Sequence, residues 1–381
     1  MDQQLMSIQQ SNSVVFQTLG TLSGKLVGVA TLNVEKALNA LNLEMIQALT
    51  HQLTVWAQDD SIAMVVLEGA GEKAFCAGGD VRALYHASKE MQGEVTTMAS
   101  EFFTDEYYLD HLLHVFDKPV LVWGDGIVMG GGLGLMAGAS HRVVTERSRI
   151  AMPEVTIGLY PDVGGSYFLN RMPGHIGRFL GMTAYNMNGA DAYFVGLGNH
   201  YLNSDDKQPL FDALASVDWE SDVGNNHSKL NALLEAMTSR CAIKMGESVL
   251  AQHQTLINEL MTGDLSQIMA KVSAYNTDQP WLERAFNTML AGSPLSLHLV
   301  YEQSRLGTEL SLEQVFQREL GMSCNCCAIG DFVEGVRALL IDKDRQPKWK
   351  YASVDTVDAQ MVTQLLASPW PEELHPLAKL G

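Results

Sequence analysis

Apolar residues recur along the first half of the chain with two different spacings. Residues 43–56 and 96–116 carry them at helical intervals, and Asn42 predicts the N-cap of the first helix. Strands are predicted for five short apolar or β-branched runs, at residues 14–18, 26–33, 63–67, 119–123 and 141–145. Strands that alternate with helices predict an α/β fold whose sheet is parallel or mixed, with helices outside it.

Glycine-rich turns follow two of the predicted strands, at Ala74–Asp80 (AFCAGGD) and Gly126–Gly132 (GIVMGGG). Each leads into a predicted helix, the first of which begins at Val81 with Asp80 as its N-cap. Glycine lets the backbone approach a ligand closely, and a helix start offers unpaired N–H groups to an anion. Because active groups in such sheets collect at the carboxyl ends of the strands, the two turns predict an anion-stabilising pocket.

Three acidic residues interrupt otherwise apolar sequence. Glu106 lies on the same helical stripe as Phe102 and Leu109, and Glu154 and Asp162 lie in an apolar segment after the glycine cluster. Burying a carboxylate costs free energy unless it has a partner, and acids with perturbed pKa values are candidates for catalysis. A structural interpretation stays open for two of them: Glu154 as an acid in the first turn of a helix, and Asp162 as a helix N-cap.

Strand patterns fade after about Ser204, and helical spacing dominates the rest of the chain. We therefore predict a flexible tail at residues 1–13, a core at residues 14–204 and a mainly helical C-terminal region at residues 205–381. The polar stretch Ser216–His227 predicts a loop.

The formal net charge is −19, from 25 basic and 44 acidic residues. Nucleic acids and anionic membrane surfaces attract proteins through basic faces, so this charge argues against both as partners. An anionic substrate would have to be held by local basic side chains and helix ends, against the field of the whole protein. No membrane span is predicted either, because Asp125 and His141 interrupt the apolar run that contains the glycine cluster.

The five cysteines are unevenly placed, which favours a reducing compartment over a disulfide framework. The cluster Cys324–Cys327 has neither a second cysteine pair nor a histidine at zinc-ligand spacing, so we expect free thiols near a helix start and no metal. Residues 1–13 have neither an apolar signal region nor an arginine, so neither a secretory signal nor a transit peptide is predicted. A cytoplasmic location is expected.

Common nucleotide and nucleophile motifs are absent from the sequence. There is no GxxxxGK[ST] loop, no GxSxG elbow around Ser166 and no HExxH helix. The glycine cluster also lacks a third glycine in the register of a dinucleotide fingerprint. An enzyme that uses carboxylates and backbone N–H donors is the interpretation that remains.

The two glycine-rich turns, together with Lys36–Leu41 (KALNAL), resemble the crotonase (enoyl-CoA hydratase/isomerase) superfamily. Within it, Ala151–Gly165 (AMPEVTIGLYPDVGG) and Asp331–Asp344 (DFVEGVRALLIDKD) are closer to the thioester hydrolases. The similarity covers most of the chain and implies a crotonase-like β-β-α spiral core. It also implies hydrolysis of 3-hydroxyisobutyryl-CoA, a step of valine breakdown, with coenzyme A as part of the substrate and no separate cofactor.

The resemblance implies roles for individual residues. The backbone N–H groups of Gly79 and Gly131 would form an oxyanion hole for the thioester carbonyl, which gains negative charge on attack. Glu154 would attack the carbonyl or activate water, and Asp162 would orient the substrate hydroxyl and assist proton transfer. Glu106 would help to recognise the 3-hydroxyl group.

One departure from the superfamily pattern bears on the reaction. Hydratases carry a second glutamate shortly after the glycine triplet, whereas this chain has Gly134 at that position. Hydration with Glu154 alone would lack one acid/base partner. Hydratase or isomerase activity is the first alternative, and a non-catalytic acyl-CoA binder is the second.

The resemblance also implies contacts to the CoA moiety and bears on self-association. Lys36 and Arg82 lie beside the two pocket-forming turns and are the cations expected to contact CoA, with solvated surface charges as the open alternative. Members of the superfamily often form trimers and dimers of trimers, so a homo-oligomer is one expectation. The other is that the helical C-terminal region covers the core within one chain.

Overall fold

The computed structural model describes residues 6–10, 12–306 and 308–380. The chain forms two compact units, each assembled from separate chain segments. The first unit contains the residues up to Gly79, then Leu109–Ile150 and Met187–Ala251. The second contains Asp80–Tyr108, Ala151–Asn186 and the residues from Gln252 onward.

Ten strands of the described residues lie in two sheets. In chain order they are β1 Met6–Gln10, β2 Val14–Gly20, β3 Leu26–Leu32, β4 Ile62–Gly69, β5 Ala74–Cys76, β6 Val120–Gly124, β7 Ile127–Met129, β8 His141–Val144, β9 Arg149–Ala151 and β10 His200–Tyr201. The larger sheet has the order β1-β2-β3-β4-β6-β8-β10, and the smaller has the order β5-β7-β9.

The larger sheet is mixed, as the sequence predicts. Its first three strands are antiparallel neighbours, and from β3 onward each neighbouring pair is parallel. The five predicted strands are confirmed to within two residues at each end. Met6–Gln10 differ from the prediction of a flexible tail, because they pair with the edge of β2 and satisfy its backbone groups.

The α-helices, in chain order, are α1 Leu43–Gln58, α2 Val81–Glu90, α3 Thr97–His114, α4 Gly131–Gly138, α5 Gly165–Phe168, α6 Ile176–Thr183, α7 Gly189–Phe194, α8 Lys207–Ser216, α9 Val223–Arg240, α10 Val249–Gln252, α11 Gln254–Leu260, α12 Leu265–Ala274, α13 Pro280–Ala291, α14 Pro294–Leu306, α15 Leu312–Ile329, α16 Phe332–Val336 and α17 Ala359–Leu366. Short 3₁₀ helices include Glu35–Ala37 and Glu154–Ile157. In the part of the chain that the structure describes, no helix is long and apolar enough to cross a membrane.

Helix α1 packs on the larger sheet through Trp56. Its ring meets Phe16 of β2 edge-on, with centroids 5.9 Å apart. A Cβ at Gly28 of β3 would lie 2.9 Å from the Trp56 ring, so only glycine leaves room for the indole at that position. The predicted cap is present, because the Asn42 side chain accepts a hydrogen bond from the Met45 amide.

The helical character predicted for the C-terminal region is confirmed: among the described residues, every assigned element after β10 is a helix. The predicted boundary near residue 204 does not separate the two units, because residues up to Ala251 belong to the first. The predicted loop Ser216–His227 is partly wrong, since α9 begins at Val223 and the Asp222 side chain accepts from the Asn225 amide at 2.7 Å. A polar cap and first turn look like a loop in sequence.

The cysteine cluster also differs from its predicted position. Cys324, Cys326 and Cys327 lie in the second half of α15, not near a helix start, and are buried free thiols. Their neighbours Val315, Phe316 and Leu320 are buried too, so the cluster belongs to the apolar core of the second unit.

Gly132 and Gly224 give a matched test of the packing around α4, because each is the second residue of its helix. A Cβ at Gly132 would lie 2.4 Å from the Cys76 carbonyl oxygen, whereas a Cβ at Gly224 would have its nearest neighbour, Asp222 Oδ1, at 3.4 Å. We expect Gly132→Ala to destabilise the protein by about 1–3 kcal/mol. Gly224→Ala should stabilise it by up to about 1 kcal/mol, through helix propensity. Urea unfolding measures both, and equal stability of the two variants would contradict the close contact of α4 with β5.

Candidate active site

Three predicted acids are brought together in the interior of the second unit. Glu106 lies on α3, Glu154 is the first residue of the 3₁₀ helix Glu154–Ile157, and Asp162 follows that helix. Their relative exposures are 3%, 4% and 4%. Burial of three carboxyl groups within one apolar interior is unusual, because charged side chains are almost never fully buried without a partner.

The backbone around Glu154 is fixed by close contact with the Asp331 segment. Gly158 ends the 3₁₀ helix in the left-handed region, with φ +73°, and a Cβ there would lie 2.3 Å from the carbonyl carbon of Asp331. A Cβ at Gly335 would likewise lie 2.3 Å from the carbonyl carbon of Ile157. Asp331 itself accepts hydrogen bonds from Ser293 Oγ and the Lys350 amide. The turn that presents Glu154 therefore rests on an anchored backbone.

Burial raises the pKa values of all three acids, and the charge of a neighbouring acid raises those of Glu106 and Glu154 further. Loss of hydration raises the pKa of Glu106 well above its usual value, and the charge of Asp162 raises it further. The pKa of Glu154 is raised in the same way by burial, by Asp162 and by Glu106. Burial raises the pKa of Asp162 to about 6, against hydrogen bonds that favour its ionised form. Carboxyl groups with raised pKa values suit acid/base chemistry.

The three acids differ in their hydrogen bonds. Within the described residues, Glu106 Oε1 and Glu154 Oε2 are buried and have no hydrogen-bond partner. Asp162 Oδ2 instead accepts a hydrogen bond from Tyr107 Oη at 2.6 Å. Asp162 is not a helix N-cap, because α5 begins at Gly165 with Gly164 in the capping position. The interpretation of Glu154 as a first-turn acid is correct for the backbone, yet its side chain is buried.

Sequence reasoning missed Glu319, a fully buried acid of α15. Its carboxylate oxygens accept from the amides of Gly164 and Ser166, both at 2.8 Å, and so hold the loop that follows Asp162. Burial raises the pKa of Glu319 to about 8, although these hydrogen bonds favour its ionised form. Val315, Phe316 and Leu320 flank it in α15, but the polar Gln317 and Arg318 directly before it hide this apolar pattern in the sequence.

The two predicted oxyanion glycines lie in the first unit, where their turns adjoin. Gly131 is the first residue of α4, so its amide has no acceptor within the helix. A Cβ at Gly78 would lie 3.9 Å from the Gly131 nitrogen, and the Leu41 amide donates to the Gly78 carbonyl at 2.8 Å. No hydrogen bond from the Gly79 or Gly131 amide is formed among the described residues. Two unpaired amides next to close-packed glycines fit the predicted anion pocket.

The remaining predicted residues lie in or next to the 3₁₀ helix Glu35–Ala37, α2 and α4. Lys36 lies in the 3₁₀ helix Glu35–Ala37 and Arg82 in the first turn of α2, and both side chains are exposed. Asp80 caps α2, as predicted, by accepting from the amides of Arg82 and Ala83. Gly134 is buried within α4. No group of histidine, cysteine or acidic side chains in the described part of the chain is arranged to hold a metal ion.

The comparisons with known proteins give one family and close relatives. The family model described as enoyl-CoA hydratase/isomerase matches residues 27–366. The 3-hydroxyisobutyryl-CoA hydrolase, mitochondrial, of Danio rerio is 37% identical over 366 residues, which are 96% of this chain and 92% of the relative. The protein of the same name from Gallus gallus is 39% identical over 339 residues, 88% of this chain and 85% of the relative.

A solved structure has the same fold. The crystal structure of an enoyl-CoA hydratase from Rhodobacter sphaeroides matches with a TM-score of 0.80 at 32% identity, over 94% of this chain and 98% of that one. The predicted crotonase-like fold is therefore confirmed, and the sequence resemblance on which it rested extends over nearly the whole chain.

Glu106→Gln tests whether the charge of the buried cluster opposes folding. The pKa of Glu106 is raised in the folded state. Its contribution to wild-type stability is therefore most favourable below the ordinary pKa of 4.5, and stability is lost as the pH rises toward the folded-state pKa. The amide cannot ionise, so we expect the variant to exceed the wild-type Tm by about 2–4 °C at pH 8 and by less at pH 5. Glu101→Gln, on an exposed position of the same helix, should show no such difference. A Glu106→Gln variant with an unchanged Tm at both pH values would contradict the cost of burial.

Proposed function

Because the chain belongs to the enoyl-CoA hydratase/isomerase family, we propose that it is the thioester hydrolase that converts 3-hydroxyisobutyryl-CoA and water to 3-hydroxyisobutyrate and CoA, a step of valine breakdown. The observation that carries the proposal is the buried pair of Glu154 and Asp162 in the second unit, with an unpaired oxygen on Glu154. The names of the vertebrate relatives agree with this choice of reaction.

Glu154 supplies the nucleophile in this proposal. Its pKa, raised by burial and by Asp162, makes its carboxylate a stronger base than a solvated glutamate. The carboxylate either takes a proton from water, which then attacks the thioester carbonyl, or attacks the carbonyl itself and is released by water. In both routes the C–S bond breaks, the acyl group gains an oxygen from water, and the CoA sulfur leaves as a thiol once it has gained a proton.

Asp162 and Glu106 act on the hydroxyl end of the acyl group in this proposal. The Tyr107 hydrogen bond fixes one oxygen of Asp162 and so holds the carboxyl group in place to orient the substrate hydroxyl. Glu106 Oε1 is buried without a partner among the described residues, so the 3-hydroxyl group would satisfy it. A substrate that lacks the hydroxyl would leave this oxygen unpaired, which is how such sites reject analogues.

The amides of Gly79 and Gly131 complete the proposal as donors to the thioester oxygen. Attack on the carbonyl moves negative charge onto that oxygen, and an aimed N–H group stabilises the transition state by about 3–4 kcal/mol. Glycine at these turns lets a carbonyl approach the backbone without a side chain in the way.

Substrate binding needs no further cofactor in this proposal, because CoA is part of the substrate. Lys36 and Arg82 are exposed and remain the proposed contacts of the CoA phosphates. Self-association remains an expectation from the resemblance.

The expected cytoplasmic location finds no support among the relatives, whose names place them in mitochondria.

Hydration of an enoyl-CoA is the competing reaction within the family. It would need a second acid near the glycine triplet, and that position is Gly134, buried within α4. The acid that accompanies Glu154 is Asp162, which follows it by eight residues and shares its buried interior. These positions favour hydrolysis over hydration, and two retained acids favour catalysis over passive binding.

A panel of acyl-CoA esters tests the reaction directly. We expect release of free thiol from 3-hydroxyisobutyryl-CoA, and from 3-hydroxypropionyl-CoA with a kcat/KM lower by about 10- to 200-fold at most, the usual worth of one methyl group. Crotonyl-CoA should release none. Thiol-reagent absorbance measures release, and mass spectrometry measures water addition. Hydration of crotonyl-CoA without thiol release would favour a hydratase, and tight binding without any reaction would favour a binding protein.

Glu154→Gln and Asp162→Asn test the two assigned roles. Each keeps the shape of the side chain and removes its ionisation, so kcat for 3-hydroxyisobutyryl-CoA should fall by about 100-fold or more. Glu101→Gln serves as the control, because it makes the same chemical change at an exposed position of α3. Steady-state thiol release measures all three. Turnover near that of the wild type in either variant would remove the role assigned to that residue.

A further inference from the structure

A line of hydrogen bonds leads from the Asp162 carboxyl to the backbone of α15 through three buried hydroxyl groups. Tyr107 Oη donates to Asp162 Oδ2 at 2.6 Å and lies 2.6 Å from Ser323 Oγ. Ser323 Oγ lies 2.8 Å from Tyr160 Oη, which donates to the Glu319 carbonyl oxygen at 2.8 Å. We call Tyr107, Ser323 and Tyr160 the relay; each has a relative exposure of 0%.

The relay has fewer protons than hydrogen bonds. Its three hydroxyl groups supply three protons, whereas the four contacts need four. The Glu319 carbonyl oxygen at one end can only accept, and so can an ionised Asp162 at the other end. With Asp162 ionised, Tyr107 donates to the carboxylate and Tyr160 donates to the carbonyl. The Ser323 proton can then fill only one of the two contacts between the tyrosines. With Asp162 protonated, all four hydrogen bonds form and point toward the carbonyl.

We propose that the relay residues are positioning residues for Asp162, and that the Tyr107 hydroxyl changes its acceptor from Asp162 to Ser323 when Asp162 gains a proton and back when Asp162 loses it. The change needs only rotation of hydroxyl hydrogens, so Asp162 keeps its place in both protonation states. A carboxyl held in this way can take a proton and return it within one turnover. The inference rests on the proposed function for one point, that Asp162 transfers a proton during hydrolysis.

The hydroxyl groups are not needed for packing. The Tyr107 ring lies between Phe103 and Phe316, with ring centroids 5.7 and 6.0 Å away. A phenylalanine would make the same contacts without burying a hydroxyl, and a buried hydroxyl costs free energy unless it is hydrogen-bonded. The hydroxyl groups therefore serve the carboxyl to which they lead.

Glu319 holds both ends of the Asp162 loop in place. Its backbone carbonyl receives the last hydrogen bond of the relay, and its carboxylate receives the amides of Gly164 and Ser166, just after Asp162. The position of Asp162 is thus fixed through its side chain and through the backbone that follows it, from a single residue of α15.

The titration of Asp162 also responds to the other ionisable groups around it and the relay. From α3, the 3₁₀ helix and α15, these groups are Glu106, Glu154, Arg318, Glu319, Cys326 and Cys327. None of them is changed in the variants below, so a difference between those variants comes from the relay.

The test is the direction in which two variants move the pKa of Asp162. Tyr107→Phe removes the donor to the carboxylate, and because hydrogen bonds to charged groups are the stronger ones, the pKa should rise by about one unit. Tyr160→Phe removes two hydrogen bonds from the protonated arrangement and one from the ionised arrangement. The pKa should therefore fall in this variant, by a smaller amount. A purely structural role predicts no such opposite shifts.

Two measurements report the pKa. One is the pH dependence of kcat for thiol release, in which Tyr107→Phe should also lose about tenfold or more in kcat. The other is the carboxyl band of Asp162 in infrared spectra, identified as the difference from Asp162→Asn. Tyr85→Phe is the matched control, since Tyr85 is a buried tyrosine of the same unit whose hydroxyl contacts Lys89 and not the relay.

The outcomes separate this inference from the proposed function. A wild-type protein that releases no thiol overturns the function, while the infrared titration still tests the relay. Shifts of Tyr107→Phe and Tyr160→Phe in the same direction, or no shift in either, overturn the relay. If Tyr107→Phe does not fold, Ser323→Ala replaces it, because that variant removes the middle hydroxyl group of the relay. An unchanged titration of Asp162 in Ser323→Ala would also overturn the relay.

Discussion

The second unit contains three carboxyl groups in an interior that excludes water, and their burial costs free energy. Burial raises the pKa of each group, and the charge of Asp162 raises the pKa values of Glu106 and Glu154 further. The surrounding residues offset this cost unevenly. Asp162 receives a hydrogen bond from Tyr107, whereas Glu106 and Glu154 each keep one buried oxygen without a partner among the described residues. A protein under selection for stability alone would replace such groups, so their retention points to a ligand that completes them.

The sequence reveals the acids because each breaks a pattern. Glu106 interrupts a helical apolar stripe, and Glu154 and Asp162 stand alone in an apolar segment that the superfamily resemblance also marks. The glycine turns are equally visible, since their conformations exclude other residues. The fold class, most of the strands and the caps at Asn42 and Asp80 follow from such local signals.

The partners of these acids leave no such local signal. Ser323 bonds to Tyr107 across 216 positions, and no periodicity links the two. Glu319 follows Gln317 and Arg318, so it reads as an ordinary charged residue of a solvated helix, although it is fully buried. The beginning of α9 resembles a loop in the sequence for a related reason, because its cap and first turn are polar. Long-range packing decides these positions, and a single sequence does not contain it.

The distance in sequence between Tyr107 and Ser323 has a consequence for folding during synthesis on the ribosome. The segments that carry Glu106, Glu154 and Asp162 leave the ribosome well before α15, which supplies Ser323 and Glu319, has been made. Until then the loop after Asp162 lacks its anchor and the acids stay hydrated, because nothing compensates their burial. Loop closure over more than two hundred residues must precede the final desolvation. Nascent chains therefore carry the acids as ordinary solvated carboxylates until α15 has been made, and the proposed reactivity toward thioesters can arise only after that.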